Sequence, residues 1–211
     1  MKLYYFDMYG RAEPIRQALW HAKVDFEDVR IDKEKFQKLK ETEPDLFEFG
    51  QLPVMEDDGK KLCQTIAILR YVGNKHGYIP ADAYQRYLID SFFDAMGDLY
   101  QKMIKAHYAP TEEEKKQAGM ELLSTHLPFF MGKFNDRIAA NGHDGHVVGD
   151  KYTIADFGLG NFFASLVYND AQPTGVMMRG VIEQFPHLVK FWESYKKDFA
   201  DYLAKREPRP M

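Results

Sequence analysis

The sequence predicts a mixed α/β domain followed by an all-α helical domain. Strand-like and helix-like segments alternate up to about residue 80, a stretch rich in glycine, proline and asparagine follows, and strand signals fade beyond it. We therefore divide the chain into a first domain at residues 1–75, a linker at 76–83 and a helical domain at 84–211.

The first half of the α/β domain shows a strand, a helix and a second strand. Residues 3–6 are rich in aromatic side chains and short enough for a buried strand, and Pro14 fits a first helical turn, which tolerates a missing N–H. Residues 26–31 predict a second strand because they end in β-branched side chains. The charged stretch 32–43 has a narrow apolar face and predicts at most a short, exposed helix.

The second half shows a hairpin and a helix. Asp58-Gly59 separates two short strand-like runs and supplies the positive φ angles of a tight turn. From Thr65 onward apolar side chains recur at helical spacing. The predicted order of the first domain is therefore β-α-β-α-β-β-α.

The second domain shows helical periodicity throughout. One apolar stripe begins at Tyr84 and ends at Met103, and another is centred on Pro128. Thr153 and Asp156 have the spacing of a capping box at the start of a further helix. Residues 181–203 predict additional helices.

Composition excludes several classes of protein. The net charge of −4 and pI near 6.0 provide no broad positive field, so nucleic acid is not an expected partner. We predict neither a signal peptide nor a membrane span, because no apolar run approaches about 20 residues. A single cysteine excludes an internal disulfide and favours a reducing, cytoplasmic location.

Local motifs resemble those of one family. The segment 2–16, Gln51-Leu52-Pro53-Val54-Met55 and the run from Gln64 to Tyr71 together resemble the cytosolic glutathione transferases of the tyrosine type, sigma-like with some pi and mu features. The resemblance implies a thioredoxin-like first domain, a transferase activity in detoxification, glutathione as co-substrate and no metal.

By this resemblance, Tyr5 is the catalytic tyrosine, whose hydroxyl donates to the glutathione sulfur and stabilises the thiolate. Arg11 adds positive field. Tyr4 is the alternative, but strand alternation directs it to the opposite face from Tyr5.

The resemblance also assigns residues that bind glutathione. Pro53 follows a cis peptide bond in the family, so that Leu52, next to Gln51, pairs its backbone with the cysteinyl moiety. Gln64 and Thr65 hold the γ-glutamyl group at a helix N-terminus.

Two expected positions depart from the family pattern. Phe36 replaces a tryptophan and offers no indole N–H. Lys40 is the expected basic residue, and Lys38 remains an alternative because residues 45–48 are a short insertion.

The resemblance further implies a homodimer. Asp98 would reach the glutathione amine of the neighbouring subunit, and Phe49 would enter that subunit as an aromatic key. Pi and mu relatives have such a key, whereas sigma members lack it, so both classes stay open.

The hydrophobic substrate is assigned to an adaptable wall of methionine, tyrosine and lysine side chains. Its members are Tyr9, Met96, Tyr100, Met103, Lys105 and Tyr108.

Two other features receive structural interpretations. Cys63 lacks a cysteine partner three residues away, and we predict that it is buried packing. His143 and His146 lie in a glycine-rich segment without further ligands at metal-site spacing, which predicts a surface loop.

The sequence therefore predicts an enzyme that conjugates glutathione thiolate to hydrophobic electrophiles. The alternatives are a glutathione-dependent prostaglandin isomerase or peroxidase, or a crystallin-like or ligand-carrying protein without catalysis. The last group predicts a degraded site, whereas Tyr5, Arg11, Pro53 and Gln64 are all present.

Overall fold

The computed structural model describes residues 1–143 and 145–209 and has a four-stranded sheet in its first part. The strands are β1 (Lys2–Phe6), β2 (Glu27–Ile31), β3 (Val54–Asp57) and β4 (Lys60–Cys63). The helices between and after them are α1 (Glu13–His21), α2 (Lys33–Thr42) and α3 (Thr65–His76). The predicted order β-α-β-α-β-β-α is confirmed.

The sheet is mixed, with the strand order β2-β1-β3-β4. β1 and β2 are parallel because α1 crosses between them, whereas β3 runs antiparallel to both β1 and β4. This is the thioredoxin-like arrangement. The carboxyl end of β1 therefore opens directly into the loop that precedes α1.

Side chains of β1 alternate between the two faces of the sheet. Leu3 and Tyr5 are buried in the main core, whereas Phe6 packs edge-on against Phe36 of α2, with ring centroids 5.5 Å apart. The Tyr4 hydroxyl leaves that core and donates to Glu56. The predicted separation of Tyr4 from Tyr5 is therefore observed.

α2 is a ten-residue helix with a capped start. The Asp32 carboxylate accepts from the Lys35 N–H at 2.7 Å, which satisfies one of the free donors of the first turn. Most of its side chains are exposed, but Phe36 is only 9% exposed and belongs to a small core with Phe47 and Val54.

The second part of the chain is helical. Its helices are α4 (Ala83–His107), α5 (Glu112–Glu121), α6 (Leu127–Asn141), α7 (Ile154–Phe162), α8 (Gly175–Ile182), α9 (Pro186–Asp198) and α10 (Ala200–Lys205). Asp82 caps α4 by accepting from the Gln85 N–H at 2.8 Å. None of the helices in the described ranges is long and apolar enough to cross a membrane.

The helix predicted around Pro128 is present, and it is joined to a preceding helix that the sequence did not predict. α6 starts at Leu127, so Pro128 lies in its first turn, and a π-helical turn at Leu122–His126 connects it to α5. α5 was missed because its highly charged sequence has no apolar stripe. The capping box of Thr111 and Glu114 was the available signal, with the two reciprocal bonds at 3.0 and 3.2 Å.

The predicted capping box at the start of α7 is also present. The Asp156 carboxylate is fully buried and accepts from the Thr153 N–H at 2.6 Å and from the Val147 N–H at 2.7 Å. It therefore joins the preceding loop to the helix.

The core is continuous from the sheet into the helical part. α1 packs on α7, and the buried Tyr195 hydroxyl donates to Gln17 at 2.9 Å. A Cβ at Gly160 would overlap the Tyr195 ring, so a glycine is required for this close approach. α1 is thus held from both sides, and the loop before it has a rigid support.

Candidate active site

A small cavity lies where the loop after β1, the start of β3 and the start of α3 meet. Every one of the segments that line it carries at least one residue assigned above to catalysis, to glutathione or to the subunit interface. The lining residues are Arg11, Phe49, Gln51, Leu52, Pro53, Cys63, Gln64 and Thr65.

Tyr5 is the last residue but one of β1 and is 6% exposed. Its hydroxyl oxygen accepts from the Arg11 backbone N–H at 3.0 Å. Because a tyrosine hydroxyl also carries one proton of its own, this bond leaves the Tyr5 O–H free to donate to another group.

Gly10 allows the loop to pass close to Tyr5. It has φ +44°, and a Cβ there would lie 2.6 Å from the Tyr5 hydroxyl oxygen. The position therefore needs glycine both for its backbone conformation and for space.

Arg16 of α1 holds the same loop from inside the protein. It is 2% exposed, and its Nη1 donates to the carbonyl oxygens of Met8 and Tyr9, each at 3.2 Å. Its charge is balanced by Glu13 at 3.2 Å and Asp28 at 3.0 Å. Sequence reasoning missed Arg16, since nothing in the local pattern distinguishes it from an exposed helical arginine.

Gln64 and Thr65 lie at the junction of β4 and α3. Gln64 has φ +70°, a conformation that costs a residue other than glycine roughly 1–3 kcal/mol and occurs preferentially at binding sites. Its side-chain amide donates to Gln51 at 3.4 Å. Thr65 is the first residue of α3, where free N–H groups favour an anion.

The hydroxyl of Thr65 is buried and has no hydrogen-bond partner in the protein. A buried hydroxyl without a partner costs free energy, so a polar ligand that completes it is favoured. The free carboxylate of a γ-glutamyl group at a helix N-terminus would supply such an acceptor. The residues present therefore fit glutathione.

Leu52 and Pro53 form the edge next to β3. The Leu52–Pro53 peptide bond is cis, as the resemblance implies. Pro53 is buried and Leu52 half-buried, so this edge is held firmly against the sheet.

Phe36 and Lys40 lie together on α2. The Lys40 ammonium is 4.9 Å from the centre of the Phe36 ring, while Lys38 is exposed. Neither Phe36 nor a lysine lines the cavity described above. Their assignment to glutathione stays a prediction.

The residues assigned to the hydrophobic substrate differ in exposure. Met96 is 3% exposed and Tyr9 2%, whereas Met103 is half-buried and Lys105 and Tyr108 are exposed. These residues therefore do not form a single open wall in this conformation.

Tyr100 has an electrostatic link to the site. Burial raises the pKa of its hydroxyl, and the nearby positive charge of Arg11 acts in the opposite direction. Tyr100 therefore stays neutral at physiological pH and lies within reach of the charge of Arg11.

Tyr9 is covered by the C-terminal strap, which we define as residues 206–209. Its hydroxyl donates to the Glu207 carbonyl at 2.6 Å, and the Arg206 guanidinium stacks 3.9 Å from its ring centre. Sequence reasoning missed the strap, because no local pattern joins segments at opposite ends of the chain.

The two residues assigned to the subunit interface are both on the surface. Asp98 is exposed on α4, and Phe49 is 56% exposed at the rim of the cavity. The Phe49 ring is therefore accessible to another surface, as are several other aromatic side chains of the protein.

Cys63 requires a correction. It is half-buried and lines the cavity, so the prediction of a buried packing residue is wrong. Its strand ends at the cavity, and this end is covered less completely than the middle of the sheet.

The loop with His143 and His146 is held by hydrogen bonds. The Asn141 amide donates to the carbonyls of His146 at 3.2 Å and Gly149 at 2.7 Å. Asp144 lies outside the described residues. Within residues 1–143 and 145–209, no group of three or more His, Cys, Asp or Glu side chains could hold a metal ion.

Comparisons with known proteins identify the family. The family model described as glutathione S-transferase, N-terminal domain, matches residues 1–74, and that of the C-terminal domain matches residues 97–206. A glutathione S-transferase of Anopheles gambiae is 32% identical over 207 residues, 97% of this chain and 96% of that protein.

Two solved structures have the same fold over nearly the whole chain. Prostaglandin synthase D of Nilaparvata lugens superposes with a TM-score of 0.82 and 30% identity and covers 98% of each chain. The Pi-class glutathione S-transferase of Onchocerca volvulus has a TM-score of 0.81 and 29% identity, with coverage of 97% of this chain and 92% of its own.

The two family models together span both parts of the fold, and the Anopheles relative aligns almost from end to end. This chain belongs to the glutathione S-transferase family and is a glutathione S-transferase enzyme.

Proposed function

We propose that this enzyme conjugates the glutathione thiolate to hydrophobic electrophiles, with Tyr5 stabilising the thiolate. The observation that carries the proposal is the hydrogen bond from the Arg11 N–H to the Tyr5 hydroxyl oxygen at 3.0 Å. That bond fixes the hydroxyl and leaves its proton free to donate to sulfur at the cavity.

The free energy needed to lower the pKa of the thiol is similar to what one hydrogen bond and a nearby positive charge provide. A free thiol has a pKa of about 8.5, and lowering it by two units requires about 3 kcal/mol. A hydrogen bond to a charged group contributes about 1.5–3 kcal/mol. The positive charge of Arg11 supplies the remainder.

The glutathione backbone would bind along the rest of the cavity. Leu52, beside Pro53, would pair with the cysteinyl moiety, while Gln51, Gln64 and Thr65 would hold the γ-glutamyl end. The unpartnered Thr65 hydroxyl supports this orientation, because it lies at the N-terminus of α3. On α2, Lys40 and Phe36 would be close to the opposite end of the peptide.

The electrophile would bind on the helical side of the thiolate. Tyr100 and Met103 are half-buried and would contribute an apolar surface, with Lys105 and Tyr108 at its outer end. Tyr9 and Met96 would contribute from beneath, with less exposed surface.

Retention on immobilised glutathione, followed by conjugation of a chlorodinitrobenzene substrate, tests the proposal. The parent enzyme should be retained and active, whereas Tyr5→Phe should be retained with at least tenfold lower kcat/KM, because one hydroxyl is removed from the thiolate. Retention of both proteins with activity in neither would instead favour a ligand-binding or crystallin-like role. No retention of the parent would contradict the assigned glutathione site.

We also propose a cytoplasmic homodimer in which the subunits share their sites. Phe49 would enter the neighbouring subunit, and Asp98 would reach its glutathione. The 56% exposure of Phe49 and its place at the rim of the cavity are compatible with this arrangement. Sedimentation equilibrium should give about twice the chain mass of 24.6 kDa, and the mass of a single chain would contradict the proposal.

A second candidate is the isomerisation of a prostaglandin endoperoxide by the same thiolate. The likeness to prostaglandin synthase D of Nilaparvata lugens favours it. Incubation with the endoperoxide and glutathione distinguishes this activity from conjugation: it regenerates free glutathione, so an isomerase forms product without consuming the thiol. Consumption without isomerised product would exclude the isomerase.

A further inference from the structure

The C-terminal strap contacts the loop between β1 and α1 from outside the protein. Besides the hydrogen bond from Tyr9 to Glu207, Arg209 Nε donates to the exposed Asp7 carboxylate at 2.6 Å. The carbonyl of Arg209 accepts from the Asn169 amide at 3.0 Å. Residues 7 and 9 of the loop are thus both held by the strap.

Arg206 anchors the strap to buried groups. Its guanidinium donates to the Ala164 carbonyl at 2.8 Å and to the Glu13 carboxylate at 3.1 Å, and it also covers the Tyr9 ring at 3.9 Å. Glu13 is fully buried, so its charge depends on its partners for stabilisation. The planar guanidinium makes these contacts at once, which a lysine cannot do.

The same carboxylate connects the strap to the inner support of the loop. Glu13 accepts from Arg206 on one oxygen and from Arg16 at 3.2 Å on the other. Arg16 in turn donates to the carbonyls of Met8 and Tyr9. The loop is therefore held between two arginines that share one buried carboxylate.

The position of this loop determines the surroundings of the Tyr5 hydroxyl. Arg11 lies two residues beyond Tyr9, which the strap holds, and its N–H is the donor to Tyr5. Gly10 lies so close to Tyr5 that any shift of the loop changes that contact. Release of the strap would therefore loosen the hydrogen bond that orients the Tyr5 proton.

We propose that Arg206 is a positioning residue for the thiolate. It acts through the C-terminal strap and the loop after β1 to keep the Arg11 N–H and the Tyr5 hydroxyl aligned, and it does not itself touch glutathione. This inference rests on the proposed role of Tyr5. It means that the C-terminal strap affects the pKa of the bound thiol.

The test is an ultraviolet titration of the thiolate of bound glutathione against pH. It compares the parent with Arg206→Ala, Arg206→Lys and Tyr5→Phe, and Lys205→Ala serves as the control because Lys205 is the exposed neighbour. Arg206→Ala should raise the pKa of the bound thiol by about half a unit, which is roughly a threefold loss of thiolate well below the pKa. Arg206→Lys should lie between Arg206→Ala and the parent, and Lys205→Ala should match the parent.

A merely structural strap would lower stability without changing that pKa. An unchanged pKa in Arg206→Ala, together with a raised pKa in Tyr5→Phe, would therefore overturn this inference and leave the role of Tyr5 intact. An unchanged pKa in Tyr5→Phe would overturn both. If Arg206→Ala does not fold, Arg206→Lys and Asp7→Asn decide, since Asp7 is exposed, and an unchanged pKa in both would also overturn the inference.

Discussion

Gly10 lies beside the Tyr5 hydroxyl in the loop after β1, and Gly10→Ala places a methyl group against that hydroxyl. The added Cβ would lie 2.6 Å from the hydroxyl oxygen, whereas ordinary contact for a Cβ begins near 3.4 Å. The two atoms must therefore move apart by about 0.8 Å. A displacement of about 1 Å in a catalytic group can reduce the rate by about 100-fold.

The backbone conformation of Gly10 has a second effect, on the free energy of unfolding, that can be measured separately. Gly10 has φ +44°, and an alanine in the left-handed region costs about 1–2 kcal/mol. Gly59 in the hairpin turn has φ +74° with no atom within 4 Å of its Cβ position. Gly59→Ala is therefore a matched control with the backbone cost and without the contact.

Steady-state conjugation kinetics and urea unfolding separate the two contributions. Gly59→Ala should lose about 1–2 kcal/mol of unfolding free energy. Gly10→Ala should lose more than that, because the contact of its Cβ with Tyr5 adds about 1–3 kcal/mol. Only Gly10→Ala should also lose roughly 10- to 100-fold in kcat/KM. If folded Gly10→Ala has the same kcat/KM as the parent, the loop does not position the Tyr5 hydroxyl.

Two further predictions concern buried polar groups. Thr65→Val should weaken glutathione binding about tenfold by calorimetry. The unfolding free energy of the ligand-free protein should rise by up to about 1–3 kcal/mol, because the variant removes a buried hydroxyl that has no partner before glutathione binds. Equal losses of affinity and stability would contradict this. Burial raises the pKa of Asp156 to about 7. Its pKa in the unfolded chain is about 4, so the unfolded state loses the proton first as pH rises, and the free energy of unfolding falls between about pH 4 and 7. Asp156→Asn should flatten this part of the curve in denaturant titrations, and a parallel curve would contradict the assignment.

Short-range patterns predicted most of the fold. The alternation in β1, the Asp58-Gly59 turn and the capping box of Thr153 each depend on neighbours within a few residues, and the structure has all three. α5 was missed because its apolar face is absent, although Thr111 and Glu114 carried a capping signal.

The contacts that support the candidate site could not be predicted from short-range patterns. The Tyr9 hydroxyl finds its acceptor 198 positions away, at Glu207, and no periodicity reports a contact between the two ends of the chain. The sequence does not distinguish Arg16 from an exposed helical arginine, because its contacts with the loop carbonyls are visible only in the structure. Cys63 was assigned wrongly for a similar reason, since its exposure depends on where the loop before Pro53 lies.

We propose above that the Tyr5 hydroxyl stabilises the thiolate of bound glutathione. The most direct measurement is the pKa of that thiol, followed by thiolate absorbance across pH in the parent and in Tyr5→Phe. We expect a pKa well below the usual value of about 8.5 in the parent and a rise of one unit or more in Tyr5→Phe, equivalent to about 1.4 kcal/mol or more. The same lowered pKa in both proteins would contradict it.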